Sequence, residues 1–203
     1  VPERQDPYVR THPLTRDRVA VIAHRVANSP YSDNAVSSKF DINFRRARAK
    51  IYGFLNPIGH TLRVYKESDN SLESRYARAV GYYREPNLEK AVPLIDGLIA
   101  EYPKDPYFRE LKGQMLFENG KPGAALVSYQ NAVTLLPDNP LIRLELARVQ
   151  LALNNPALLD TAIDNLRISI ADDSESPFAW RQMAIAYGRR GDKGHSSLAL
   201  AEE

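Results

Sequence analysis

Cysteine is absent from the 203-residue sequence, methionine occurs twice and tryptophan once. Without cysteine there is neither a disulfide framework nor a thiolate nucleophile or ligand, and this absence suits an oxidising compartment as well as a reducing one. Long apolar runs are missing too, since no stretch approaches the roughly 18–20 residues that cross a bilayer. Nor is there an excess of one charge. The 27 Lys and Arg stand against 25 Asp and Glu, a net charge of +2, without the clustered basic surplus of a nucleic-acid binder.

Catalytic motifs are equally scarce. The histidines are His12, His24, His60 and His195, and none stands in an H-E-x-x-H arrangement. No G-x-S-x-G, P-loop or G-x-G-x-x-G occurs. Carboxylates such as Glu73, Asp172, Asp173, Glu202 and Glu203 read as exposed helix-face or turn charges. The chain therefore offers no metal site, no cofactor site and no catalytic constellation of its own.

What the sequence does contain is a repeat. Pro103 and Pro137 lie 34 residues apart, as do Pro106 and Pro140, and Ala91 and Ala125. Thirty-four residues is the period of tetratricopeptide repeats, paired antiparallel helices that are each too thin to bury an apolar face alone. The expected fold is all-α, a tetratricopeptide-like superhelix of antiparallel helix pairs preceded by two adaptor helices. The units are 72–105, 106–139, 140–176 and a truncated 177–203. Gly113 and Ala125 are placed where two helices cross closely. Trp180, Met183, Ala184 and Tyr187 follow the repeat's aromatic and small-residue pattern. The turn at 154–159 is about three residues longer than its counterparts, so the spacing slips from 34 to 37. Pro93 deletes a backbone donor inside a helix and predicts a kink near it.

Residues 1–71 read as an adaptor segment. Thr15 can cap a helix whose apolar side is Val19, Ile22, Ala23 and Val26. Phe40, Phe44, Ala47, Ile51 and Leu55 mark a second amphipathic helix. Residues 56–71 form a long connection that holds the one short strand-like alternation, at 61–65. The basic run Lys39, Arg45, Arg46, Arg48 and Lys50 reads as the solvated face of the second helix, or alternatively as a site for an anionic partner. Both ends of the chain look cut. A fragment is expected, with a dimer through residues near 194–203 as a consequence of cutting.

The expected working surface is the concave wall formed by the first helix of each unit. Counting along the units places Tyr76, Val80, Tyr83 and Arg84 there, then Tyr107, Glu110, Gln114 and Phe117. Leu141, Leu144, Arg148, Leu151, Arg181, Ile185 and Arg189 follow. Aromatic residues and arginine are typical of interface hot spots, so a protein or peptide partner is expected. Arg148, Arg181 and Arg189 are candidates to pair with its acidic groups. The Lys/Asn arrangement that clamps a C-terminal carboxylate does not occur at these positions.

Several segments resemble the region after the catalytic domain in HtpX/BepA-like zinc metallopeptidases (metallopeptidase family 48). They are Arg10-Thr11-His12-Pro13-Leu14-Thr15-Arg16-Asp17-Arg18, the basic Arg48-Ala49-Lys50-Ile51-Tyr52-Gly53-Phe54-Leu55, Arg75-Tyr76-Ala77-Arg78-Ala79, the stretch from Leu111 to Gly120, and the stretch from Trp180 to Gly188. The resemblance implies a periplasmic or membrane-associated bacterial parent, with zinc held in a catalytic domain outside this chain and the repeats recruiting a substrate or partner. It also places His12 at the edge of the parent's active site, although His12-Pro13 equally reads as shaping the entry to the first helix. A free-standing repeat scaffold of a cell-envelope assembly is the alternative.

Overall fold

A computed structural model describes residues 15–34 and 37–203, and among them every regular element is helical. The chain divides into two compact units, Val1–Phe44 and Arg45–Glu203. Helix α1 (Thr15–Ala27) lies in the first. Helix α2 (Ser38–Leu55) begins there, and its residues from Arg45 onward belong to the second. The apolar stripes expected to be buried on these helices are not. Val19, Ile22 and Val26 are exposed, as are Phe40, Phe44, Ile51 and Leu55. His12 lies outside the described residues.

The alternation at 61–65 does not form a strand. These residues lie mostly in a third helix, α3 (Ile58–Val64), inside the stretch read as a long connection. Pro57 fixes the backbone at its start, and its carbonyl accepts from the N–H groups of His60 and Thr61 at 2.9 and 3.1 Å. Five alternating residues carry too little period to override that start signal. Thr61 is fully buried, and Gly81 lets Ile58 and Thr61 approach the next helix, because a Cβ there would stand 2.9 Å from Ile58 Cδ1.

Eight helices then follow in pairs: α4 (Leu72–Arg84) with α5 (Leu88–Glu101), α6 (Pro106–Glu118) with α7 (Pro122–Leu135), α8 (Pro140–Ala152) with α9 (Leu159–Asp172), and α10 (Pro177–Arg190) with α11 (Lys193–Glu202). The starts are written in the sequence. Asp105, Asn139 and Ser176 each accept a backbone N–H from the first turn while proline takes the first helical position. Ser71, Asn87 and Asp192 cap in the same way without proline. Gly191 closes α10 in the left-handed region at φ 84°. Helix α5 continues unbroken through Pro93.

Each pair contributes to a stacked core. Ala77, Ala91, Ile95, Leu98, Phe108 and Met115 pack in the first cluster; Ala125, Tyr129, Ala132 and Val149 in the next; Ala162, Leu166, Met183 and Ala184 in the last. Burial of each large side chain contributes about 1.5–3 kcal/mol. Gly113 meets the Tyr129 ring rather than Ala125, and a Cβ on it would lie 2.6 Å from Tyr129 Cδ2. The extra residues of the third unit form a 3-10 turn, Pro156–Leu158, capped by Asn155 and preceded by Asn154 at φ 56°.

Candidate peptide-binding groove

The face that α4 turns toward α2 defines the groove. Glu73, Ala77, Val80 and Arg84 lie along it at helical spacing. Arg45 pairs with Glu73 at 2.9 Å, and Gly53 sits on Ala77 and Val80. Arg84 stacks its guanidinium over the Phe54 ring at 4.4 Å. At the junction with the next repeat, the α6 cap Asp105 holds Arg46 at 2.7 Å, and Glu110 on α6 faces Lys50 at 3.6 Å. Arg46 also lies over the Phe108 ring, 4.6 Å from its centre. Within the basic run, Arg45, Arg46 and Lys50 are thus paired with groove carboxylates, while Lys39 and Arg48 lie on the exposed side of the helix. Helix α2 docks by its small and basic side and turns Ile51 and Leu55 outward, 57% and 71% exposed.

The repeat carries the same face onward. Thirty-four residues on from Glu73, Val80 and Arg84 stand Tyr107, Gln114 and Glu118. The third unit offers Leu141, Glu145 and Arg148, and the fourth Phe178, Gln182, Ile185 and Arg189. This face is uncovered at Tyr107, Leu141 and Phe178, which are 47%, 70% and 42% exposed. Arg148 stands at its centre, with its guanidinium 5.4 Å from the Phe117 ring and 5.1 Å from the Phe178 ring. Both oxygens of Glu145 accept from its Nη1, at 2.8 and 2.7 Å. Its Nε and Nη2 find no acceptor among the described residues, and the side chain is about a third exposed (34%).

Other residues expected in the groove have structural work. Tyr76 is buried edge-on against Phe108, with ring centres 5.2 Å apart. Tyr83 is buried and donates its hydroxyl to Glu118, which also accepts from Gln114 Nε2 at 3.0 Å. Burial pushes both tyrosine hydroxyls well above their usual range, so they remain protonated donors. Leu144 and Leu151 belong to the core. Arg181 donates from Nε to Glu203 at 2.7 Å, and Arg189 donates to the Leu151 carbonyl.

Sequence reasoning missed Phe178 and Glu145. Phe178 follows a first-turn proline just as Tyr107 and Leu141 do, so the proline register would have found it. Glu145 is visible only as an i, i+3 partner of Arg148. Among the described residues no group of three or more His, Cys, Asp or Glu could hold a metal ion, and no helix is long and apolar enough to cross a membrane.

Stacked helix pairs at this period, with a first-helix face running from unit to unit, define a tetratricopeptide-repeat protein-interaction module. Residues 116–157 match the tetratricopeptide repeat family model. Over 199 residues the chain is 25% identical to the beta-barrel assembly-enhancing protease of Yersinia pestis, covering 95% of this chain and 40% of that protein. It is thus a repeat region similar to one in that protease and spans less than half of the relative's length. It is also 28% identical over 89 residues to DnaJ homolog subfamily C member 3 of Gallus gallus, 44% of this chain and 18% of that protein. Among solved structures, MamA superposes with a TM-score of 0.63 at 14% identity, over 81% of this chain and 91% of that one. YrrB, described as a TPR protein with an unusual peptide-binding site, gives 0.63 at 18% identity over 78% and 82%. At these identities the two structures speak to the fold alone.

Proposed function

We propose that this chain binds a protein or peptide segment along the uncovered first-helix face of repeats 2 to 4. The observation that carries this reading is the Phe117–Arg148–Phe178 sandwich. Three successive first helices converge on one guanidinium, pinned by Glu145 through Nη1 and still offering its Nε and Nη2 as donors. Apolar side chains of a bound segment would lie on Tyr107, Leu141, Phe178 and Ile185, and a carbonyl or carboxylate oxygen would accept from Arg148. Because the carboxylate of Glu145 already balances Arg148, main-chain carbonyls suit the site as well as acidic side chains do. That YrrB, a tetratricopeptide protein of similar fold, has a peptide-binding site supports the same use of such a stack.

The test starts from peptides selected on the chain from a random display library, with binding measured by calorimetry. Arg148→Ala and Phe178→Ala are each expected to weaken the selected peptides by tenfold or more while leaving the thermal midpoint within a few degrees. Selected peptides that bind both variants as tightly as the native chain would refute the assignment.

For the whole protein, we infer a recruiting module beside a zinc-dependent protease of the bacterial envelope, periplasmic or membrane-associated. Residues 1–71 would be an adaptor following the catalytic domain, and the repeats would span 72–203. The similarity to the Yersinia protease over nearly the full chain supports this reading, as does the resemblance of the segment around His12 to the family's element. Zinc would be bound outside this chain. Sequencing the gene upstream of Val1 decides the matter. An H-E-x-x-H motif is expected there, whereas a lipobox or unrelated domain would favour a free-standing scaffold.

A further inference from the structure

The groove of the first two repeats already holds an occupant, and its chemistry is specific. From Arg45 to Leu55, α2 lies along α4 with two adjacent arginines and a lysine on the wall carboxylates Glu73, Asp105 and Glu110. Its closest approach is at Gly53, where even a methyl group would stand 2.3 Å from the Ala77 carbonyl oxygen. Ala49, one turn earlier on the same side, is fully buried. The contact is made mainly of small residues and ion pairs, with Tyr52 edge-on to Tyr65 and Phe54 under Arg84, while Ile51 and Leu55 point away. A helix that belonged permanently to the core would be expected to turn its apolar stripe inward. This one is held as a ligand is held. Arg45 and Lys50 keep considerable solvent exposure in their ion pairs, which makes those two weak and salt-sensitive, while the Arg46–Asp105 pair is more enclosed.

We propose that the groove of repeats 1 and 2 is a receptor for a basic α-helix with small residues at its crossing point, closed in cis by α2 and open to a partner helix of the same chemistry in trans. This goes beyond the reading of the Arg148 face, which centres on repeat 3 and does not require α2 to move. A competing helix needs cationic side chains spaced as Arg45, Arg46 and Lys50 are, and Gly or Ala where Ala49 and Gly53 stand.

The experiment uses the full chain and a fluorescein-labelled peptide of residues 38–57, followed by anisotropy. In the Gly53→Leu chain the larger side chain collides with the Ala77 backbone and should expel the cis helix. That chain is expected to bind the native-sequence peptide at least tenfold more tightly than the unsubstituted chain does, with binding weakening as salt rises. The peptide carrying R45E, R46E and K50E should not bind it. If Gly53→Leu does not unfold cooperatively, the Arg45→Glu/Arg46→Glu chain serves in its place. A folded, opened chain that ignores the native peptide would overturn the proposal. So would equal binding of the charge-reversed peptide, or equal binding by the opened and unopened chains.

Discussion

At the scale of single residues, two positions show how tightly the stack is specified. Gly113 lies under the Tyr129 ring, which is fully buried and has no room to swing aside. Gly113→Ala gains up to about 1 kcal/mol of helix propensity but incurs an overpacking cost of about 1–3 kcal/mol. A net loss of up to about 2 kcal/mol is expected, read from the urea midpoint. Glu110 behaves differently. Burial raises its carboxyl above the usual range, and Lys50 at 3.6 Å opposes this only in part. The native state therefore holds that proton more tightly than the unfolded chain. Stability from this group is present at low pH and declines as pH rises from the ordinary carboxylate range through the raised native value. Glu110→Gln should abolish that slope and match or exceed native stability at neutral pH by up to about 1 kcal/mol. The two proteins should converge in acid, and chemical denaturation across pH 3–8 would show it.

At the scale of elements, the α3–α4 connection depends on one buried cation. Arg78 Nη1 donates to the carbonyls of Lys66 and Asp69, the latter at 2.8 Å, and ties the loop to α4. Arg78→Ala should cost about 2–3 kcal/mol, the range for hydrogen bonds to a charged group, and should speed amide exchange at 66–71. The repeat helices themselves were legible because their punctuation is local. A capping Asp, Asn or Ser before proline fixes each start without reference to the rest of the chain. Burial of α2 was not legible. Its strongest periodic signal, the Phe40-to-Leu55 stripe, marks the side turned to solvent, whereas the buried side is marked only by Ala49 and Gly53. Small residues give a weak hydrophobic signal however close a contact they permit. The same limit explains Tyr76 and Tyr83. Heptad-like counting places a residue on a helix, but cannot tell a groove from the seam between neighbouring pairs when boundaries shift by one position.

At the scale of the whole molecule, the second unit is a row of pairs that each touch mainly the pair before and after. Cooperativity in such a row comes from the interfaces between neighbours. Part of the first-helix face was legible for that reason, since one repeat's inventory predicts the next, and counting places Arg148 on it. The sandwich around it was not, because Phe117 and Phe178 belong to units on either side and meet only when the pairs stack. The turn at Pro156–Leu158 follows from the same architecture. The family-model match stops at residue 157, inside it. There the chain leaves and rejoins its helices without disturbing either neighbour, so the extra residues change the numbering of the third unit but not its fold. A short Gly/Ser segment inserted between Asn154 and Asn155 should leave the thermal midpoint within about 3 °C, a shift of under about 1 kcal/mol. Such a turn works as a length buffer: residues added there are taken up in the loop, and the register of the first-helix face on either side stays in step.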